Sequence, residues 1–484
     1  MSGAGRRRRD RLRAVTSLAP GLAGCAILLV LAAPVTPALA ITDEEVFRHF
    51  RFNFLNPGAR SLGLAGAFTA VADDATAAQA NPAGMTNLGS PQFFLEVRHA
   101  RLDSVDTPVS FRFPLNVDEG YNVSVRTQSD SVIIPSFVSY VRPFAGDRLY
   151  MGFSRQELLS NRSRTRSVYE VLEAGTGDLR ISDGEIDIGL VSWNASLGWK
   201  LHENFRVGLT ASYGELDARS AVVNTYVDPT GSQIGDPSLA GVPIGMYSTE
   251  TDERDTDVTL GAGLLWRMGG VVIGGSYRQG GSFDLEEELL ARNIDPNLIP
   301  GQIASRVFFN ETGTFVTADN NTGHLGLSFR VPDVYSLGVS YRPTGSLLLA
   351  VDGSWIRYSM LLESFNARLN LLTVFFDPES EAAFTIDDVL NLHVGGEYRL
   401  PAIRQDLHLA LRAGWHQDKD NRLRSNFEDG GIGLASNENF PGRESENHFA
   451  LGLGLVKGNR FQLDIAADLS EPGTELVMSL TYMF

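Results

Sequence analysis

From Ser90 to the end of the chain, apolar and polar positions alternate with a period of two, the pattern of half-buried strands. Val191, Trp193, Ala195, Leu197 and Trp199 share one face. Phe205, Val207, Leu209, Ala211 and Tyr213 do the same, as do Val258, Leu260, Ala262, Leu264 and Trp266. Leu407 to Trp415 and Phe461 to Leu469 repeat it, while the opposite faces carry Ser, Asn, Gly, Thr, Arg, His, Gln and Asp. In a soluble sandwich the apolar face would be the core; in an outer-membrane barrel it would meet lipid.

The connections separate these two readings. Strands are expected near 91–103, 132–143, 147–157, 185–200, 204–219, 254–267, 270–283, 331–342, 346–359, 387–400, 406–419, 446–457, 460–469 and 474–484. Short turns at 144–146, 201–203, 268–269, 343–345, 401–405 and 458–459 then alternate with long connections at 104–131, 158–184, 220–253, 284–330, 360–386 and 420–445. Only the last hairpin is tight at its outer end. Short turns at one rim and long loops at the other characterise a transmembrane barrel, and a sandwich has no reason to sort its loops this way. Trp199, Trp266, Tyr341 and Tyr398 precede short turns, while Tyr213, Tyr277, Trp355 and Trp415 lie towards the long loops. Eight residue steps of roughly 3.3 Å, tilted about 40°, rise on the order of 20 Å, near the height of the apolar band. Two aromatic belts are therefore expected. The fold class expected is all-β, a 14-stranded antiparallel transmembrane β-barrel over residues 91–484. Leu476, Met478, Leu480, Tyr482 and Phe484 share a face of the last strand, which ends the chain on an aromatic residue.

One stretch breaks the strand pattern. Asn56 to Leu88 reads NPGARSLGLAGAFTAVADDATAAQANPAGMTNL. Gly58, Gly63 and Gly66 keep its backbone thin and permissive, Pro82 disfavours helix at Asn81, and Gly84 allows a reversal. Composition alone leaves it either a linking loop or a segment that passes close to other chain. Ahead of it, residues 41–55 are amphipathic on either periodicity: Phe47, Phe50 and Phe54 align on a helix, and Phe50, Phe52 and Phe54 on a strand.

The run GARSLGLAGAFTAVADDATAAQANPAGM resembles the N-terminal hatch of the FadL/TodX family of outer-membrane transporters for hydrophobic compounds. A similar stretch opens related barrels such as PorV, a secretion-associated protein. The pairs VPDVYSLGVSYRP with LLLAVDGSWIRYS, and HVGGEYRL with LALRAGW, are similar to body segments of the same family. The resemblance implies a hatch, within residues 41–90, that plugs the lumen. Its gating residues would be Gly58, Gly63, Gly66, Asp73, Asp74, Asn81, Pro82 and Ala83. It also implies an inward kink in the third strand, placed by analogy at Gly152, near Asn81-Pro82-Ala83, where an apolar ligand leaves sideways. The terminal strand resembles the signal read by the barrel-assembly machinery during biogenesis, with Leu480, Tyr482 and Phe484 carrying it. The 220–253 and 284–330 connections match no pattern of the family.

Residues 1–40 have the order of an export signal: Arg6 to Arg9, Arg11 and Arg13, then Ala23 to Ala33, then Ala38-Leu39-Ala40. A lipoprotein-style box at Leu22 to Cys25 puts its cysteine ahead of the most apolar stretch rather than after it. Removal of residues 1–40, with six Arg and one Asp, takes the net charge from −17 to −22 and removes the one cysteine. An acidic chain excludes nucleic acid as a partner. No window of about 20 apolar residues follows Ala40, which excludes helical spanning.

The chain carries no G-x-S-x-G, H-E-x-x-H, P-loop or G-x-G-x-x-G, so no enzyme is expected. His393, His408 and His416 point into the lumen by alternation, beside Glu397 and Arg412, as a polar barrel interior would have them. No metal and no cofactor is expected. Fourteen strands enclose a lumen that leaks unless filled. An apolar ligand needs apolar walls with a few polar groups, for which Leu62, Leu64, Phe68 and Val71 are candidates, with Phe308, Phe309, Leu371, Leu372, Phe375 and Phe376 from the connections. The run 369–376, LNLLTVFF, is too apolar for an ordinary exposed loop; capture groove, lipid contact and packed loop core all remain open. The expected function is passive uptake of hydrophobic compounds such as long-chain fatty acids by a monomer in the cell outer membrane, through a hatch-gated barrel with lateral exit. A PorV-like accessory barrel that binds exported proteins is the alternative, and a hatch argues against a general polar porin.

Overall fold

The computed structural model describes residues 52–102, 105–112, 120–129, 132–171, 179–227, 243–292, 307–309, 315–317, 322–362, 384–401, 406–421, 424–425, 445–458, 460–470 and 473–484. The export segment 1–40, the start of the lead-in with Phe47 and Phe50, and the run 369–376 with Leu371, Leu372, Phe375 and Phe376 lie outside these. For Phe308 and Phe309 only the backbone is described, a short strand paired with Phe315–Thr317.

Among the described residues, fourteen strands close into an antiparallel barrel. They are β1 Gln92–Leu102, β2 Val132–Ala145, β3 Leu149–Val171, β4 Leu179–His202, β5 Phe205–Val227, β6 Pro243–Met268 and β7 Val271–Arg278. β8 Val334–Tyr341, β9 Leu347–Ile356, β10 Val389–Arg399, β11 Leu407–Asp418, β12 Glu446–Lys457, β13 Phe461–Ser470 and β14 Gly473–Met483 complete the wall. Each pairs with its sequence neighbour, and β14 pairs with β1 from Gln92↔Met483 to Leu102↔Gly473, which closes the ring.

The wall is inverted relative to a soluble core. Leu209, Val258 and Leu337 point outward and are 65%, 64% and 64% exposed, whereas Asp352, Glu397 and Arg412 point inward and are buried. Such a continuous exposed apolar surface is a membrane-facing one. Trp199, Trp266, Tyr341 and Tyr398 ring the short-turn end, all exposed, and Tyr335 and Trp355 are exposed at the other end.

Two of the expected long connections, 158–184 and 220–253, are for the most part strand. β3 to β6 are 23, 24, 23 and 26 residues long, about twice what a tilted strand needs to cross a bilayer. Their outer halves carry cross-strand ion pairs in place of apolar residues: Arg162–Asp187, Arg164–Glu185, Arg166–Asp183 and Arg219–Asp252. These pairs are exposed, so this part of the ribbon stands in water. Within the long connections 104–131 and 284–330, strands 105–112 and 120–129 form a hairpin against the outer end of β3, and strands 282–292 and 322–330 pair beside β6.

Candidate functional site

The stretch 56–88 lies inside the barrel and is largely buried there. Leu64, Ala67, Phe68, Ala72, Ala75 and Met85 are fully buried in one cluster with Phe94, Phe137 and Leu348 from the wall. It holds a short helix, Ala59–Gly63, a second turn, Ala77–Ala80, and a 3-10 helix, Pro82–Asn87. Gly66 has φ 83 and sits against Leu55 and His393, a conformation and a space that only glycine fits.

The wall receives this hatch through absent side chains. A Cβ on Gly152 of β3 would lie 2.6 Å from Met85 Sδ, and one on Gly198 of β4 would lie 2.8 Å from the Pro82 carbonyl oxygen. On Gly208 of β5 and Gly263 of β6 it would strike the ring of Pro82, each at 2.8 Å. Gly395 of β10 and Gly414 of β11 meet Leu64 and Ala65 in the same way. The glycines on the polar faces of the strands therefore form a seat that follows the hatch around the lumen.

Polar contacts fix the hatch in that seat. Asp352 Oδ2 accepts the backbone N–H groups of Phe68 and Thr69 at 2.8 and 2.7 Å. Asn81 caps its 3-10 helix by accepting from the Ala83 N–H, and its amide donates to the carbonyls of Thr69 and Leu264 at 2.9 and 3.1 Å. Ser139, Ser196 and Ser340 donate to the carbonyls of Ala75, Ala78 and Ala70. Arg60 reaches Asp73, Asp74 and Glu397; Glu397 also takes Arg412 at 2.8 Å, and Arg412 takes Asp464 at 2.7 Å. Arg342 binds the other oxygen of Asp73, which ties the acidic pair of the hatch directly to the wall, and Arg60 links it to the wall a second time through Glu397. Buried charges arranged this way are each paired, as burial demands.

Beside the hatch, among the described residues, the ladder of the wall is interrupted between β2 and β3. β2 and β3 pair from Ala145↔Leu149 to Phe137↔Gln156 and no further; the outer end of β3, Ser163–Val171, pairs with the strand 120–129 instead. Among the described residues, 157–161 has no strand on its β2 side. The β3–β4 register also slips between Glu157 and Leu159. Asn53 of the lead-in donates its backbone N–H to the Leu158 carbonyl at 2.8 Å. Behind the break is an apolar layer of Leu158, Leu159, Leu190, Leu216, Phe283 and Val331. Phe52 and Phe54 pack on it, stacked on each other at 4.9 Å. On the outer face, just below the break, a groove of about 580 Å³ runs between Val138, Tyr140, Phe153, Trp193, Tyr213 and Val258.

The structure thus brings Gly58, Gly63, Gly66, Asp73, Asp74, Asn81, Pro82 and Ala83 together in one plug. Leu62, Leu64, Phe68 and Val71 are packing of that plug rather than an open wall. The kink expected at Gly152 is not there: Gly152 is laddered on both sides, to Val141 and Ser196, and is small because Met85 occupies its Cβ position. Asn81-Pro82-Ala83 rests against Gly198, Gly208 and Gly263 of β4 to β6, which leave room for it. Leu480 is exposed on the lipid face of β14, and Tyr482 meets Phe484 edge to face at 4.7 Å beside the closing seam. His393 and His416 are buried in the lumen, whereas His408 is exposed at the short-turn rim. Leu158 and Leu159 were not singled out in the sequence; the doubled leucine, which breaks the strict alternation of β3, is the signal.

No characterised protein matches the chain by sequence at a significant level. The model of an uncharacterised protein family, UPF0164, matches residues 34–148. Among solved structures, the crystal structure of a Pseudomonas aeruginosa FadL homologue is similar over 90% of this chain and 99% of its own, at 15% identity and a TM-score of 0.58. The P. putida toluene transporter TodX is similar over 89% of this chain and 99% of its own, at 12% identity and a TM-score of 0.53. The resemblance seen in the sequence extends to the three-dimensional structure: the chain has the FadL-like fold, a fourteen-stranded barrel filled by its own N-terminal segment.

Proposed function

We propose that this chain is an outer-membrane channel for the passive uptake of hydrophobic compounds, long-chain fatty acids among them, with a lateral exit between β2 and β3. One observation carries this reading: the 157–161 stretch of β3, laddered to β4 but not to β2, has an apolar layer inside it and an aromatic-lined groove on the outer face just below it. A polar solute has no use for such a path, whereas an apolar one moves along it without being hydrated again. The hatch, held by paired charges and by Asp352, closes the straight route through the lumen.

The test is uptake of labelled oleate and of toluene by cells lacking their own hydrophobic channels and displaying this barrel. Uptake of at least one compound above the vector control is expected, together with its loss in Leu158→Glu, which puts a charge at the break. Correctly inserted barrel that admits neither compound would reject the reading.

A further inference from the structure

The geometry points to a binding site for one divalent transition-metal ion of the zinc class, made by His416, His448 and Asp468 inside the lumen beside the hatch. His416 on β11, His448 on β12 and Asp468 on β13 face inward and are 4%, 7% and 5% exposed. One potential ligand atom from each lies within 4.8 Å of the others. Both imidazoles aim at the same carboxylate oxygen: His448 Nδ1 is 2.7 Å and His416 Nε2 is 3.4 Å from Asp468 Oδ2. Ligands about 2.0–2.2 Å from a tetrahedral ion stand about 3.3–3.6 Å apart, so admitting the ion requires the His448–Asp468 contact to open by about 0.6–0.9 Å.

Two observations favour an ion over a hydrogen-bonded stack. Asp468 Oδ1 is buried and has no hydrogen-bond partner, so the carboxylate keeps acceptor capacity that the two imidazoles leave unused, while His448 Nε2 faces Glu446 Oε2 at 3.5 Å. The two rings also stack at 4.2 Å with 20° between their planes, which holds both nitrogens towards one point. Imidazole nitrogen with a single carboxylate suits zinc, copper or nickel rather than calcium or magnesium, which take oxygen. Three protein ligands leave one coordination position for water. Asp418 and Glu446, a cross-strand pair at the outer ends of β11 and β12, stand next to His448 and form a second acidic group leading to it.

The site adjoins the plug. His393 stacks on His416 at 5.5 Å and bonds through Nδ1 to the carbonyl of Ala65, a non-glycine residue in the left-handed region at φ 54. An ion at His416 is therefore one ring away from the hatch backbone, independently of what the channel carries.

The experiment uses the membrane-extracted barrel, stripped with chelator, exposed to zinc chloride and dialysed before elemental analysis. About one zinc per chain is expected. His448→Ala and Asp468→Asn are each expected to weaken zinc binding at least tenfold, in the range seen when a zinc site loses support, while His408→Ala binds as the wild type does. Heat-modifiable gel migration selects folded barrels. Cobalt substituted into the wild type should give d–d absorption and X-ray absorption with imidazole scattering, a readout that needs no variant. Wild-type barrel without zinc above background, folded variants that keep full zinc affinity, or cobalt bound without imidazole would each overturn the site.

Discussion

Gly263 shows how tightly single residues are matched across the hatch and the wall. A side chain there must push against Asn81 and the ring of Pro82, neither of which can swing aside. Gly263→Val is expected to unseat the 3-10 turn without unfolding the strand, seen as larger single-channel conductance and as greater sensitivity of cells to large antibiotics. Asp352 acts in the opposite sense, by presence. Asp352→Ala leaves the N–H groups of Phe68 and Thr69 buried without an acceptor, at about 1–3 kcal/mol each. A lower urea midpoint, with Asp352→Asn intermediate, checks this. Arg412→Ala takes the guanidinium away from buried Asp464, while Glu397 keeps Arg60, and breaking one partner of a buried ion pair costs about 3–5 kcal/mol. The same truncation at exposed Arg164, paired with Glu185, should change stability by no more than about 1 kcal/mol; equilibrium unfolding of the two variants side by side tests the contrast.

β3 is the element whose parts differ most. From Leu149 to Gln156 it is laddered on both sides; from 157 to 161 it is laddered to β4 and not to β2, with Asn53 of the lead-in bonded at Leu158. Backbone amides along a strand point alternately to its two neighbours, so roughly every second amide in 157–161 should exchange with solvent faster than those of 149–156. Hydrogen exchange read by mass spectrometry would show it, and uniform protection would contradict the break. The strand positions were legible because lipid imposes period two on every wall segment it touches. The outer halves of β3 to β6 were not, since outside the lipid band the same ladder carries Arg162, Asp187, Arg219 and Asp252, and charge on both faces reads as loop. The break was hidden for another reason: whether residue 158 is paired depends on where β2 ends, which no local pattern records. His448 and Asp468 could have been found, since each falls on the face opposite Phe449 and Leu469, but only by following two strands at once.

At the scale of the whole molecule, the barrel is two surfaces of opposite design. Its outside is generic, an apolar band with aromatic rims that any bilayer of the right thickness accepts. Its inside is specific to one guest, and that guest is the protein's own chain. The seat of the hatch is moulded in glycines contributed by strands as distant in sequence as β3 and β11. Such a cast has a consequence for inheritance and for engineering. The plug is not a portable module: a hatch transplanted from another barrel of this shape would meet hollows cut for different residues, and a wall glycine lost to drift could be recovered only by a matching change in the plug. The two must vary as a single unit, so exchanging one without the other should yield barrels that assemble but leak.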